Sequence, residues 1–490
     1  MKLSSVISRC HVESKILFKS NFSIKGITNN SKKMKENFIF TAIQGKQFDG
    51  HKFIQDFYHL KNFAIISNCK NKVLKYLKKI PKNFSLIETH YPIKLCNEIA
   101  SLIYPNNISE KIAVTGTNGK TSVSEFVRQL WHIYGFESAS LGTLGIKSSK
   151  KYKKSNLTTL DGIDFHKTLS KLQKIGCKKI VTEASSIGID RCRLFPIKFD
   201  KLAFTNLTRD HIDYHKTFSK YRESKLDLFR NYKTSNSLAI INSDDRNSTF
   251  FLRECKINRI KVLDYGFNAK FLKIKKIQIK SNLSIIKIEL NKKEMEIVLR
   301  TICEFDILNK FCALLLVKGI NIKKHDFSNL NKLSMPRGRF DKVFDKQFKV
   351  YIDYAHTPDA LKNVFKGLQK IKKKYLFALI GCGGNRDSGK RNLMTKVALK
   401  YCDKVIITDD NPRFENPEKI REEMLLGINK KNLKRIYNIG NRRKAIEFGI
   451  KNLKKDDIFI ITGKGHEDYQ IFKNKKKYFS DYKIVEKILG

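Results

Sequence analysis

Several features that would assign a chain of 490 residues to a familiar class are missing here. Ten cysteines stand at 10, 69, 96, 177, 192, 255, 303, 312, 382 and 402 without one C-x-x-C pair or ligand cluster. That excludes a zinc ribbon or dithiol motif and leaves the cysteines as small buried hydrophobes in a reducing compartment. The opening residues, MKLSSVISRCHVES, contain no apolar core of signal-peptide length. The longest aliphatic runs, such as FCALLLV at 311–317, fall far short of the ~18 residues a membrane helix needs. A soluble, cytoplasmic protein without membrane insertion is therefore expected. Low-complexity linkers and internal repeats are absent too.

Acidic residues are scarce: 47 Asp and Glu face 98 Lys and Arg, a formal net charge of +51. Such a balance ordinarily points to nucleic acid or an anionic membrane. The lysines, however, are scattered through every segment among abundant Asn, Ile and Phe, with no basic–aromatic interleaving. This is the signature of a compositional bias rather than a binding stripe, and no nucleic-acid partner is expected. The competing reading, a basic P-loop ATPase acting on nucleic acid, would require ATP turnover stimulated by polynucleotide.

The length suits roughly three domains of ~100 to 200 residues. The most informative stretch is IAVTGTNGKTSVSEF at 112–126. The common phosphate-binding loop, G-x-x-x-x-G-K-[ST], would place a glycine where Val114 stands; Gly116 is only three residues before Gly119. A tighter loop ending in Gly-Lys-Thr can still cradle phosphate through backbone N–H groups and a helix N-terminus, with Lys120 offsetting charge and Thr121 facing magnesium. From Lys111 onward strands and helices alternate: IAVTG, KKIVTEA, KLAFTN and SLAIIN, then a second series KVYIDYA, YLFALIG, KVIITDD and DIFIITG. The pattern predicts an α/β fold with parallel sheets and ligands at the strand ends.

Polar residues cluster at those ends. Glu183 closes KKIVTE and could hold a phosphate-bound magnesium, or simply lie at a helix N-cap. The D-H-x-D-x-H cluster Asp210, His211, Asp213 and His215 reads as a cation site. Lys225, in YRESKLDLF, reads by itself as a solvated helix lysine.

Taken in order, GTNGKTS, EASSIGIDRCR, NLTRDHIDYH, the lysine of KLDLF, NSDD, DYAHTPDAL, GCGGNRDSGKR, DDNPR and GKGHEDYQ resemble the Mur ligases, ATP-dependent amide-forming enzymes of peptidoglycan precursor synthesis. The resemblance runs from about Gly26 nearly to the end and is strongest to the members that add the third peptide residue. It implies an N-terminal UDP-sugar-binding domain (1–100), a central P-loop-type ATPase domain with a mainly parallel sheet (101–336) and a C-terminal Rossmann-like domain (337–490). It implies ATP binding at Gly116, Thr117, Asn118, Gly119, Lys120, Thr121 and Ser122. Catalytic roles would fall to Lys120, Glu183, His211 and Lys225, with magnesium held by Thr121, Glu183, His211 and a carbamylated Lys225. The UDP-muramoyl dipeptide would meet Ser31, Gly45, Lys46, Gln47, Thr158, Thr159, Ser185, Arg191 and Arg193. Arg386, Asp410, Asn411, Pro412, Arg413, Gly463 and Glu467 would bind the incoming amino acid; Asn242, Asp244, Asp245, Asp353, Tyr354 and His356 lie in motifs near the nucleotide.

The implied activity is ATP-dependent ligation of meso-diaminopimelate to the D-glutamate of UDP-N-acetylmuramoyl-L-alanyl-D-glutamate through an acyl phosphate, by a monomer with small-molecule partners. Arg413 favours diaminopimelate, because its planar fork matches a distal carboxylate that lysine lacks. A lysine-adding relative, or a ligase like folylpolyglutamate synthetase, is the nearest alternative; the latter is not expected to carry DNPR or GKGHE. The chain departs from the family pattern at Asn30, Ile187, Arg191, Cys303–Asp306 and Asn385.

Overall fold

The computed structural model describes residues 1–18, 20–45, 49–77, 79–155, 157–280 and 283–490. The chain clusters into two compact units, one formed by residues 1–113, 136–200 and 227–237, the other by 114–135, 201–226 and 238–490.

The first unit carries a five-stranded sheet in the order Lys15–Leu17, Phe84–Glu88, Phe63–Ser67, Phe38–Thr41, Gly26–Thr28. Only the Lys15–Leu17 edge is antiparallel. The inner strands are buried runs (FAIIS, FSLIE), as expected where helices cover both faces. The same unit holds Lys179–Glu183 parallel to Ser138–Gly142, with the helix Gly162–Lys174 capped by Asp161, whose side chain accepts from Ile163 N.

The strand Glu110–Thr115, whose last two residues begin the second unit, runs through Gly116–Gly119 into the helix Lys120–Ile133. A six-stranded sheet follows in the order Asp341–Asp345, Lys349–Ile352, Ile458–Ile461, Leu376–Ile380, Lys404–Ile407, Ile436–Asn438, parallel except at its first pair. Its two faces are covered by separate apolar clusters, one around Leu361, Phe365, Leu379's neighbours Ala378 and Ile380, and Met394, the other around Ile406, Ile446, Phe459 and Val485. The expected α/β class and all eight expected strands are present. An antiparallel meander, Leu272–Lys280, Leu283–Leu290 and Lys293–Leu299, lies outside that reading. Its alternating lysines put one face in solvent, which distinguishes it from the buried parallel strands.

Seven cysteines are buried, whereas Cys10, Cys69 and Cys192 are half-exposed, so the expectation of ten buried thiols is corrected at three positions. Among the described residues no helix is long and apolar enough to cross a membrane.

Gly449, inside the helix Arg442–Lys451, shows how tightly the second cluster is packed: a Cβ there would overlap the ring of Phe459, itself fully buried. Glycine-to-alanine changes within helices normally gain up to ~1 kcal/mol. Here Gly449→Ala is expected to lose about 1–3 kcal/mol through overpacking, so the melting temperature should fall rather than rise.

Candidate active site

The phosphate-type loop is built on conformations that only glycine adopts cheaply. Gly116 has φ +152 and Gly119 φ +86. A Cβ on Gly116 would overlap Thr205 Oγ1, and one on Gly119 would lie 2.6 Å from Asn309 Oδ1. The loop is braced from the segment after the strand Phe199–Phe204: Thr205 Oγ1 donates to Asn118 O at 2.6 Å, Asn118 N donates to Asn206 Oδ1 at 2.9 Å, and Thr117 Oγ1 lies 3.0 Å from Tyr221 OH. Asn242 holds this brace, donating from Nδ2 to Thr205 O at 2.7 Å, and Asp245 accepts from Leu207 N at 2.7 Å. Asp244 instead ties Phe267 N and Asn268 N.

Two lysine amino groups converge on one carbonyl. Lys120 Nζ donates to Gly116 O and Thr117 O, each at 2.8 Å, and Lys225 Nζ donates to the same Gly116 O at 2.8 Å. Lys225 is 1% exposed, which overturns its reading as a solvated lysine: the helix Phe218–Asn231 turns this position inward. Burial, then the nearby Lys120 charge, push its amine well below the usual lysine range, against the pull of Asp210. Thr121 and Ser122 are buried in the first helical turn, and Thr121 Oγ1 accepts from Arg339 Nη2 at 3.1 Å. Arg339 also lies over the Tyr354 ring at 4.3 Å.

The D-H-x-D-x-H cluster does not form a cage of its own. Among the described residues no group of three or more His, Cys, Asp or Glu is arranged to hold a metal. Asp210 faces the Lys390 ammonium instead, Nζ lying at 3.9 Å, with His356 Nε2 at 4.0 Å. Burial alone would raise its carboxyl, but His211, Lys390 and His356 outweigh that and hold it below the usual carboxylate range. Asp213 pairs with Arg386 at 3.5 Å, and His215 packs against the rings of Tyr214 and Tyr221. His211 has φ +54; burial first, then Lys120 and Lys225, push its imidazole down. His356 donates from Nδ1 to Tyr354 O at 2.9 Å, and burial with the Lys390 charge pushes it down to about 4, so it is neutral at pH 7. Asp353 accepts from Ala355 N at 2.6 Å and from Phe340 N at 2.5 Å.

In the first unit, Glu183 is buried, accepting from Thr143 N at 2.7 Å and Thr143 Oγ1 at 3.0 Å. It is not an N-cap: Ser185 caps the short helix Ser186–Asp190, accepting from Gly188 N at 3.1 Å. Thr159 is fully buried and bridges Glu183 O at 2.7 Å and Ser185 Oγ at 2.9 Å; Arg193 Nη1 donates to Thr159 O at 3.1 Å. Thr158 Oγ1 lies 3.2 Å from Thr143 Oγ1. Arg191 is exposed and Ile187 half-buried at this helix. Ser31 starts a one-turn 3-10 helix capped by Asn30; Gly45 is exposed, and Lys46 and Gln47 lie outside the described residues.

The third group gathers at the C-terminal sheet. Arg413, at φ +53, donates from Nη1 to Gly384 O at 2.9 Å, and its backbone is pinned to Ile471 O at 3.0 Å. Arg413 and Arg386 both flank Gly383: a Cβ there would lie 2.7 Å from Arg413 Nη1 and 3.9 Å from Arg386 Cγ. Pro412 carries the chain past Gly384, where a Cβ would overlap Pro412 O. Opposite in charge, Asp410 and Glu467 share Lys464, which is fully buried and lies 3.1 Å from Asn411 Oδ1 and 3.3 Å from Glu467 Oε2. Burial raises the Glu467 carboxyl; for Asp410 burial is outweighed by Lys464, Arg442 and Arg413, and its carboxyl is lowered. Thr143, Arg339 and Lys464 are site residues that the sequence reading missed. Lys464 alone had a visible signal, its place inside GKGHE.

Residues 114–317 match the Mur ligase middle domain and 338–465 the Mur ligase glutamate ligase domain. The chain belongs to the Mur ligase family. It is an ATP-dependent ligase of that family, as its motif order implied. It is similar to the UDP-N-acetylmuramoyl-L-alanyl-D-glutamate--2,6-diaminopimelate ligase of Aquifex aeolicus (strain VF5), with 37% identity over 95% of this chain and 94% of that protein. A solved structure of a ligase of that name superposes with a TM-score of 0.64 at 29% identity, covering 95% of this chain and 94% of the other. A folylpolyglutamate synthase from Mycobacterium tuberculosis, solved with ADP and AMPPCP, shares the fold at 16% identity and a TM-score of 0.60, over 72% of this chain and 88% of its own.

Gly116→Ala tests the tight loop. The backbone conformation alone should cost about 1–3 kcal/mol, so kcat/KM for ATP is expected to fall roughly ten- to hundredfold in a protein that still melts cooperatively.

Proposed function

We propose that this Mur ligase joins meso-diaminopimelate to the D-glutamate of UDP-N-acetylmuramoyl-L-alanyl-D-glutamate. The observation that carries the reading is the charge arrangement around DNPR and GKGHE: two guanidinium groups, Arg413 and Arg386, at Gly383, and two carboxylates, Asp410 and Glu467, around Lys464. An amino acid whose far end bears both a carboxylate and an ammonium complements that pattern, whereas lysine offers only the ammonium.

In this reading the loop amides and Lys120 hold the β- and γ-phosphates of ATP at the helix N-terminus. The D-glutamate carboxylate attacks the γ-phosphorus, ADP leaves, and an acyl phosphate forms. The neutral amine of diaminopimelate adds to the acyl carbon and phosphate departs, leaving the amide and releasing a proton. The family's magnesium suits these residues, since it binds through few protein groups plus phosphate and water. Thr121 and His211 would hold it beside the loop, and when bound it would offset phosphoryl charge. Lys225 fits a carbamate: a neutral amine can attack carbon dioxide, forming an N–C bond and losing a proton; burial favours the neutral amine, and the Lys120 charge beside it favours the resulting negative charge.

The depressed lysine makes the uncharged form available at lower pH than for free lysine, so carbamate formation should persist at neutral pH and be lost on acidification. Isotope-labelled bicarbonate should give a carbamate resonance in the wild type that is missing from Lys225→Ala. That variant should also be inactive and partly restored by short carboxylic acids; a fully active Lys225→Ala would remove the residue from the mechanism.

Arg413→Ala tests amino-acid choice. Removing one partner of a desolvated charge pair costs ~2 to 5 kcal/mol, roughly 30-fold to several-thousand-fold in affinity. Diaminopimelate use should fall by that order while its advantage over lysine narrows, because the guanidinium also repels the lysine ammonium. Equal use of lysine by the wild type would refute the assignment.

A further inference from the structure

Behind Asp410 lies an arginine that no motif singled out. Arg442 opens the helix Arg442–Lys451, capped by Asn441, and its side chain is fully buried. Nε donates to Asp481 Oδ1 at 2.8 Å, while Nη2 donates to Asp481 Oδ2 at 2.7 Å and to Thr462 O at 2.8 Å. The third nitrogen, Nη1, is buried with no hydrogen-bond partner among the described residues. It lies 4.0 Å from the place a Cβ on Gly463 would occupy, and Asp410 Oδ2 lies 2.7 Å from that same place. The guanidinium and the carboxylate thus flank Gly463, which has φ +102 and could not carry a side chain between them.

Joining the helix Asp481–Leu489 to the strand end Ile458–Ile461 needs only the two-pronged pair with Asp481. A staple of that kind has no use for a desolvated nitrogen left unpaired beside Gly463, since leaving a buried donor unpaired is costly. We infer that Arg442 is a positioning residue for amino-acid recognition, locked by Asp481 and Thr462 O so that it holds Asp410 and the Gly463 turn in the arrangement that receives the ammonium of the incoming diamino acid. The inference rests on the reading of Asp410 proposed above. The electrostatics agree: Arg442 and Lys464 both pull the Asp410 carboxyl down against the effect of burial, and Asp410 and Glu467 in turn stabilise the Arg442 charge after Asp481. Without Arg442 a carboxylate this buried would lose part of what keeps it ionised and fixed.

The test is a double-mutant cycle in the full chain between Arg442→Lys, which keeps the charge but breaks the two-pronged lock, and Asp410→Asn. Arg442→Lys should raise KM for diaminopimelate about tenfold, the size of one charge-assisted contact. It should leave KM for ATP and for the UDP-dipeptide within about twofold, and add less than about twofold in the Asp410→Asn background. If Arg442→Lys does not fold, Asp481→Glu, which shifts the lock while keeping both charges, is measured in the same cycle with the same expectation. Equal changes in all three KM values, or a tenfold effect that persists with Asn at 410, would show a purely structural role and overturn the inference alone. A wild-type enzyme that ligates no diamino acid would overturn it together with the proposed function.

Discussion

The oxygen of Gly116 accepts from two lysines at 2.8 Å each, and much of the second unit follows from that crowding. Two like charges around one carbonyl cannot both be retained cheaply away from water. Lys120 keeps a path to solvent and Lys225 does not, so it is the Lys225 amine that burial and the neighbouring charge push down. The same crowding explains the brace of Thr205, Asn206 and Asn242: a loop with two positive-φ glycines has few hydrogen bonds of its own, and neighbouring side chains must supply them. Thr205 serves on both counts, since its hydroxyl bonds the loop and fills the space that makes Gly116 irreplaceable by any residue with a Cβ.

Charge is handled differently at the C-terminal sheet. Asp410, Glu467, Lys464, Arg442 and Asp481 alternate in sign within a largely dry region. Buried ion pairs of this kind contribute little net stability, because desolvation offsets most of their attraction. Apolar residues of similar size would hold the sheet at least as well. What they would not provide is a carboxylate kept charged at a fixed point beside Arg413, which the proposed recognition of a zwitterionic end group requires.

The strands were legible in the sequence because each parallel strand is a short buried apolar run stopped by polar or glycine residues, as in YLFALIG and KVIITDD. The loop was legible because its glycines are fixed by φ, a backbone property that spacing records. Burial of single polar residues was not. Lys225 sits in a helix whose sequence resembles a solvated surface, and only its packing against the loop turns it inward. Thr143, which holds both oxygens of Glu183, is forty residues from it in sequence, and the hydroxyl leaves no periodic trace. Arg442 was hidden by the opposite problem: among 98 basic residues one more carried no signal. In the D-H-x-D-x-H cluster the spacing did not reveal that Asp210 faces Lys390 and Asp213 faces Arg386.

The departures from the family pattern at Asn30, Asn385, Cys303 and Asp306 are matched locally, which bears on why the composition has drifted without dismantling the fold. Asn30 still caps its turn, its Oδ1 accepting from Lys32 N at 3.0 Å, as an aspartate would. Asn385 adopts φ +51, which asparagine tolerates, and accepts from Phe414 N at 3.0 Å. Cys303 stands where a glycine is usual, and its sulfur occupies the space beside residue 367, which is itself a glycine. Asp306 replaces an amide by a charge inside the core, and Lys310 one turn later meets it at 2.9 Å with both side chains only 4% exposed. Each change exchanges one way of satisfying a polar group or filling a volume for another of equal reach. A bias toward lysine and asparagine can therefore spread across this chain wherever a neighbour absorbs the new group. It meets a barrier where none can, at Gly116 and Gly463, where a positive φ and close neighbours oppose any Cβ.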